Sequence, residues 1–469
     1  MKITTLIAFF SLLMTALNAQ KTTVSIKENQ VTGVNTGGGE KATPEIVETL
    51  FIDTVWAANR VNFALQTVDN QQFIAYYDKN RMMTVASRQL GSTFWTKATL
   101  PNKLHWDSHN SVVMAIDAKG YIHVSGNMHV NPLVYFRSTK PYDVNSMVEL
   151  NFMVGENEKD VTYPAFFLDK QDNLYYSYRS GASGNGITLI NRFYHDTQKW
   201  ERYIKTPLFD GIEKNDNRSA YHQFVKDKDG NFHYSWMWRW TPLVETCHQL
   251  CYATSTDMLH WKNAVGEDIP LPFRPDDKRL IVDDVPSKGG LHNGKYQTII
   301  TPDKKPMLAY TKYDEKGLTQ LYLSHVKNGA WVSKKISNWD FRWQFIGGGD
   351  KMTEGASFSI AGFSDEGLLV IDWSTPNQKS GRYVIAPNTL ENSDKKPIIK
   401  AKMPKEISQR LTDTPKLNVN LQEDRTKYRN GEKYVLKWET MGRSHGTNAP
   451  KVIPEYPRSA LVLLRIEDK

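Results

Sequence analysis

Apolar and polar residues alternate along most of this chain with a period of two, the mark of half-buried strands, and no long stretch carries a helical period. A unit recurs: an apolar strand, an Asp/Asn/Gly turn, a second apolar or aromatic strand, a third strand, then a strand that bears tryptophan. The turns fall at 68–70, 117–120, 169–173, 227–230, 302–305 and 364–367. Asp, Asn and Gly suit them because they tolerate left-handed backbone and bond to their own turn. Trp95, Trp200, Trp261 and Trp331 follow four of these turns, where an outer strand is due.

The turns recur about 48 to 76 residues apart, the length of a four-stranded propeller blade with variable loops. Six units start near Phe51, His109, Tyr163, Ala220, His292 and Gly355. Strands near 434–438 and 459–466, joined by 24–26, are expected to close a seventh. The expectation is an all-β chain: a single seven-bladed β-propeller with four-stranded antiparallel blades over residues 20–469. Residues 392–429 are polar and lysine-rich, which predicts a long surface connection. Residues 1–19 read as a signal peptide: Lys2, an apolar run over 6–17, then Asn18-Ala19. That run is too short to span a bilayer, so a secreted or periplasmic protein without stable membrane insertion is expected.

Composition narrows the function classes. A formal charge of +8 over 469 residues is modest, and basic runs interleaved with aromatics are absent, which argues against nucleic acid. An anionic ligand in a local groove remains compatible with it. Cys247 and Cys251 are the only cysteines, so no disulfide framework exists. Four apart on one strand, they sit about 13 Å from each other, too far for a disulfide. His248 between them and a distant histidine such as His292 or His222 make a structural zinc one reading; two inert buried thiols are the other. No cofactor is expected for catalysis.

Candidate chemistry concentrates in residues 104–138, which hold His105, His109, His123 and His129, four of the 12 histidines. An antiparallel hairpin there would bring His109 and His129, at its two ends, to one rim; mid-strand His123 reads as structural. Tyr163 and Tyr221 each stand six residues before a turn aspartate, Asp169 and Asp227, and so occupy equivalent strand positions. Arg179 and Arg239 end the following strands. Taken singly, the tyrosines read as packed residues and the arginines as loop ties to backbone carbonyls. Together they suit uronate chemistry, because arginine holds a carboxylate and histidine and tyrosine exchange protons.

The runs HNSVVMAIDAKGYIHVSGNMHVNPLVYFRS, YPAFFLDKQDNLYYSYRSGASGNG and HQLCYATSTDMLHW resemble the propeller ulvan lyases of polysaccharide lyase families 24 and 25 and their wider BNR-repeat-like superfamily. The resemblance covers roughly residues 105–310. It implies proton transfer by His109 and His129, acid/base work by Tyr163 and carboxylate neutralisation by Arg179. Substrate contacts fall to Tyr221, Arg239 and Asn110, and a structural zinc to Cys247, His248, Cys251 and His292. The implied partner is an anionic polysaccharide or oligosaccharide containing uronate and rhamnose. The leading expectation is a lyase cleaving rhamnose–uronate linkages of ulvan-like sulfated polymer by β-elimination. Two others stand beside it: an exo-acting oligosaccharide dehydratase or rhamnosyl-glucuronate glycosidase, and a non-catalytic glycan-binding propeller. A glycosidase usually needs two carboxylates, and the candidate residues are His, Tyr and Arg.

Overall fold

The computed structural model describes residues 44–212, 217–347, 355–377, 379–424, 426, 432–444 and 449–468. The signal-like residues 1–19 and the strand expected at 24–26 lie outside them. Among the described residues there is no α-helix, and the strands form seven antiparallel sheets. Six open with their first strand at one edge or next to it: Ala64–Val68, Val112–Ile116, Val161–Leu168, Ser219–Lys226, Tyr296–Ile300 and Ser357–Phe363. The seventh runs Asn418–Glu423, Lys433–Thr440, Arg458–Asp468 and then Pro44–Trp56, so the two ends of the described chain share one sheet.

Each aspartate turn is built alike. The Asp117 carboxylate accepts the backbone N–H groups of Lys119 and Tyr121, both at 2.9 Å. Asp169, Asp227 and Asp314 repeat this with the residues two and four positions on. The motif extends into the next strands. His123 joins Asp117 at 3.3 Å to the Tyr135 hydroxyl at 2.8 Å. His233 joins Asp227 at 3.3 Å to the Tyr252 hydroxyl at 2.5 Å. Burial pushes both imidazoles below the usual histidine value, against the pull of their aspartates. His123 is therefore a structural residue that pins three strands.

Apolar faces pack between sheets that are consecutive in the chain. One core joins the seventh, first and second sheets through Trp438, Phe63, Phe73 and Val112. Others join the second to the third through Tyr135 and Tyr176, and the third to the fourth through Ile190 and Trp236. The fourth meets the fifth through Leu250 and Leu308, and the fifth the sixth through Leu321 and Ile371. Trp200, Trp261 and Trp331 lie on outer strands and Trp95 just before one. Aromatic rings of this size bury the most apolar area per residue.

The expected boundaries shift in two places. Phe51 belongs to the seventh sheet, and the first sheet starts at Ala64. Residues 392–429 are no plain connection, because they contain Asn418–Glu423, an edge strand in which Asn420 alone is fully buried. An edge strand with so few buried positions carries no readable apolar alternation.

Candidate active site

His109 and His129 come together, though not through the hairpin. The ladder from Val112–Ile116 to Ile122–Gly126 ends at Gly126, where a Cβ would lie 2.7 Å from the Ser111 carbonyl oxygen. The chain then turns at Asn127 (φ 61°). His129 starts the short strand His129–Asn131, which pairs with Thr162 of the third sheet. What unites the two imidazoles is Asp107, a residue that the pattern of histidines alone does not reveal. Its carboxylate holds His109 Nδ1 at 2.6 Å and His129 Nδ1 at 2.8 Å, and accepts the His109 backbone N–H at 2.8 Å. The rings stack with centroids 4.1 Å apart. The Asp-x-His spacing of Asp107 and His109 was the available signal.

Burial alone would raise the Asp107 carboxyl, but the hydrogen bonds from His109 and His129 outweigh it and hold the group well below the usual carboxylate range. An ionised carboxylate only accepts, so each Nδ1 carries a proton, which leaves Nε2 as the atom of either ring able to gain or lose one. Asp107, His109 and His129 are also the described residues whose ligating atoms gather within 4.8 Å. Those atoms already satisfy one another as hydrogen-bond partners.

Tyr163 is re-aimed by a bulge. Thr162 pairs with Arg179 and Ala165 with Ser177, so Tyr163 and Pro164 together face one residue of the next strand. Tyr163 sits at φ 56°, rare for an aromatic residue and costing about 1–3 kcal/mol. The result is a ring 42% exposed, edge-on to His109 at 5.8 Å and to Tyr221 at 6.4 Å. Protein packed round the hydroxyl, with Tyr221 beside it, pushes the phenol up to about 12 against the pull of Arg179 and Arg239.

Arg179 is 4% exposed, and its guanidinium stands 4.9 Å from the Tyr163 ring centroid and 5.9 Å from that of Tyr221. Its Nε donates to the Gly181 carbonyl at 3.2 Å and Nη1 reaches the Tyr221 hydroxyl at 3.5 Å, while buried Nη2 has no partner among the described residues. Ser183, not foreseen from sequence, fixes the Tyr221 hydroxyl at 2.5 Å. Arg239 differs: it donates to the carbonyls of Thr241, Pro242 and Leu243, tying a loop, with its cation 5.0 Å from the Tyr221 ring centroid. Asn110 is buried, and its backbone carbonyl accepts the Tyr77 hydroxyl at 2.9 Å. Neither Arg239 nor Asn110 stands in the cleft wall.

The expected zinc ligands do not converge, since no three of Cys247, His248, Cys251 and His292 bring ligating atoms within 4.8 Å of one another. His248 lies against the Trp240 ring, tilted to it, with centroids 4.2 Å apart, and meets Arg218 at 3.1 Å. His292 stacks on Trp343 at 4.8 Å and accepts the Gly294 N–H. Burial pushes the Cys247 thiol up to about 12 and Cys251 higher still. Along the strand Cys247–Ser255 the two thiols lie in different environments, so these four residues do not fit a tetrahedral zinc set.

A cleft of about 630 Å³ runs past these groups. Its wall includes His109, Tyr163, Arg179 and Tyr221, with half-buried His222, whose imidazole is held near 4 by its protein surroundings and by Arg179. It draws on the strands that open the second, third, fourth and seventh sheets, the last through Gln422. No Asp or Glu is among the described residues that line it. An imidazole on a carboxylate, a neutral phenol and a buried guanidinium share one cleft, a set of groups able to move protons and to pair with an anion.

Comparison with known proteins sets this scaffold in a lineage. The model of the BNR repeat-containing family matches residues 71–339, and the chain belongs to that family. Its fold is similar to that of the polysaccharide lyase Uly1, at TM-score 0.56 and 15% identity over 92% of this chain and 100% of that one. It is likewise similar to a PL25 ulvan lyase, solved alone and bound to -[GlcA(1-4)Rha3S]-. That match has TM-score 0.56 and 14% identity over 84% of this chain and 93% of the other. No curated protein matches the sequence.

Proposed function

We propose that this protein is a polysaccharide lyase that cleaves rhamnose–uronate linkages of a sulfated, ulvan-like polymer by β-elimination. The observation that carries the reading is the make-up of the cleft wall. Among the described residues it offers buried Arg179 with Nη2 unpartnered, beside His109 and Tyr163, and no carboxylate. A hydrolase would place two carboxylates across the scissile bond. An elimination instead needs the substrate's own carboxylate neutralised, so that negative charge developing on it is tolerated. The scaffold under this reading is a seven-bladed propeller. Support comes from seven sheets that pack in chain order, opening strands that converge on one cleft, and a last sheet sewn from both chain ends.

Arg179 binds the uronate carboxylate, a role that suits its unpartnered Nη2. His109 Nε2 takes the C5 proton. The imidazolium so formed is stabilised by Asp107, and stacked His129 shares that carboxylate and keeps it aligned. As the electron pair from C5–H forms the C4–C5 double bond, the bond from C4 to the glycosidic oxygen breaks. Tyr163, protonated because its phenol is pushed up to about 12, gives that oxygen its proton. The products are a new reducing end and a 4,5-unsaturated uronate. Water is not consumed.

The test is incubation of the purified protein with sulfated rhamnose–uronate polymer and with short oligomers, following unsaturated-uronate absorbance and product masses. New absorbance with chain cleavage is expected, lost in His109→Ala and His129→Ala while circular dichroism stays native. Absorbance with loss of water and no cleavage would replace lyase by dehydratase. Free rhamnose without absorbance would replace it by glycosidase, and binding without turnover would leave a glycan-binding propeller.

A further inference from the structure

Besides Arg179 the cleft wall carries a second cation. Arg443 lines the cleft together with Asn62, Ser108, Ser111 and Gln422. Its place is fixed by an unusual seam between the seventh sheet and the loop that carries His109. Met441 N–H donates to the Ala57 carbonyl at 2.8 Å. Ser444 N–H donates to Asn59 Oδ1 and to Ser108 Oγ, both at 2.9 Å, and Ser108 N–H donates back to the Ser444 carbonyl at 2.8 Å. Ser108 Oγ also donates to Asn59 Oδ1 at 2.6 Å. Residues 57–60 and 441–444 thus run beside each other, and Arg60 and Arg443 are brought together next to the residue that precedes His109.

Neither arginine forms an ion pair with a described carboxylate, and the buried Nε of Arg60 has no hydrogen-bond partner among the described residues. Burial, and then the charge of Arg443, pull the Arg60 guanidinium below its usual value. Arg60 is half-buried and Arg443 exposed; two like charges side by side without a described counter-ion are unfavourable, and a bound oxyanion relieves that. Asn62, Ser111 and Gln422 of the same cleft wall are uncharged.

We propose that Arg443, backed by Arg60, is an anion subsite that takes a sulfate ester on the sugar next to the uronate held at Arg179. The proposal rests on the lyase reading for the identity of that uronate, but the subsite itself is defined by the Asn59–Ser108–Ser444 seam. A sulfate ester, with three terminal oxygens, matches a paired guanidinium donor set. Because the seam holds Ser108, filling the subsite also places sugar beside His109.

The experiment compares the sulfated rhamnose–uronate polymer with its solvolytically desulfated form, for wild type, Arg443→Gln and Arg60→Gln. Both binding, by titration calorimetry, and turnover are read. Loss of a charge-assisted hydrogen bond predicts about 10-fold weaker binding of the sulfated polymer to Arg443→Gln. The loss should be at least fivefold smaller with desulfated polymer. Arg60→Gln should show the same ordering. Equal losses on both polymers, or none, would overturn the subsite, and dependence on the uronate carboxyl in a carboxyl-reduced polymer would overturn the sulfate assignment. Binding is measured without turnover, so failure of the lyase reading, with no unsaturated product from wild type, is told apart from failure of the subsite.

Discussion

Replacing Asp107 by Asn keeps the shape of the group beneath the two histidines and removes its charge. The side-chain oxygen near His109 accepts two hydrogen bonds, from Nδ1 at 2.6 Å and the backbone N–H at 2.8 Å, whereas the other accepts one, from His129. The Asn amide oxygen therefore stays with His109 and its NH2 turns to His129, which must give up its Nδ1 proton and carry one on Nε2. His109 keeps its tautomer but loses the negative charge that stabilises it when it takes the C5 proton. With charge centres about 4 Å apart and an effective dielectric near 20, the full interaction is about 4 kcal/mol. A proton half transferred feels about 2 to 4 kcal/mol, so kcat falls about 30- to 1,000-fold. KM should hold, since Arg179 and Tyr221 are untouched. The assay is initial-rate unsaturated-uronate absorbance at saturating polymer, with thermal unfolding measured in parallel. A kcat within threefold of wild type in a folded Asp107→Asn protein would refute the reasoning.

Three further outcomes follow from the same geometry. Tyr163→Phe should lower kcat about 100-fold or more with melting unchanged; because the phenol is pushed up to about 12, wild-type kcat should show no loss from its ionisation as pH rises past 10, and a drop there that vanishes in Tyr163→Phe would contradict this. The Asp107 carboxyl is held below its unfolded value, so its contribution to stability is present above about pH 4 and lost as pH falls through the lower folded value; acid titration of the melting temperature should be flatter in Asp107→Asn. His123→Ala should cost about 2–4 kcal/mol, through a cavity and the hydrogen bonds lost to Asp117 and Tyr135, with kcat per folded molecule unaltered; a melting temperature equal to wild type would rule out the strand-pinning role.

The sequence showed the strands because their buried faces alternate, and the turns because aspartate at a fixed place bonds its own backbone. It showed Tyr163 and Tyr221 as equivalents because both are counted from such a turn. It could not show that His129 leaves its hairpin for the next sheet, since a three-residue strand carries no period. Nor could it show Asp107 as the clamp: an Asp two residues before a His reads as an ordinary turn until a second imidazole arrives from 22 residues away. The seam of Asn59, Ser108 and Ser444 joins positions as far as 385 apart and leaves no local trace.

These illegible contacts have one thing in common. Each joins elements from different sheets at the cleft, whereas the legible ones lie within a hairpin. A repeat built on local turns fixes where strands begin, and its chemistry arises where neighbouring repeats meet. Asp107 holds a residue of the third sheet against the second, Ser183 and Arg179 of the third hold Tyr221 of the fourth, and Ser444 of the seventh holds the His109 loop. A substitution that shifts one sheet against the next, even far from the cleft, should therefore change the spacing of His109, Tyr163 and Arg179 before it changes the hydrogen bonds inside any sheet. Catalysis would then fail at temperatures where circular dichroism still reports native strands.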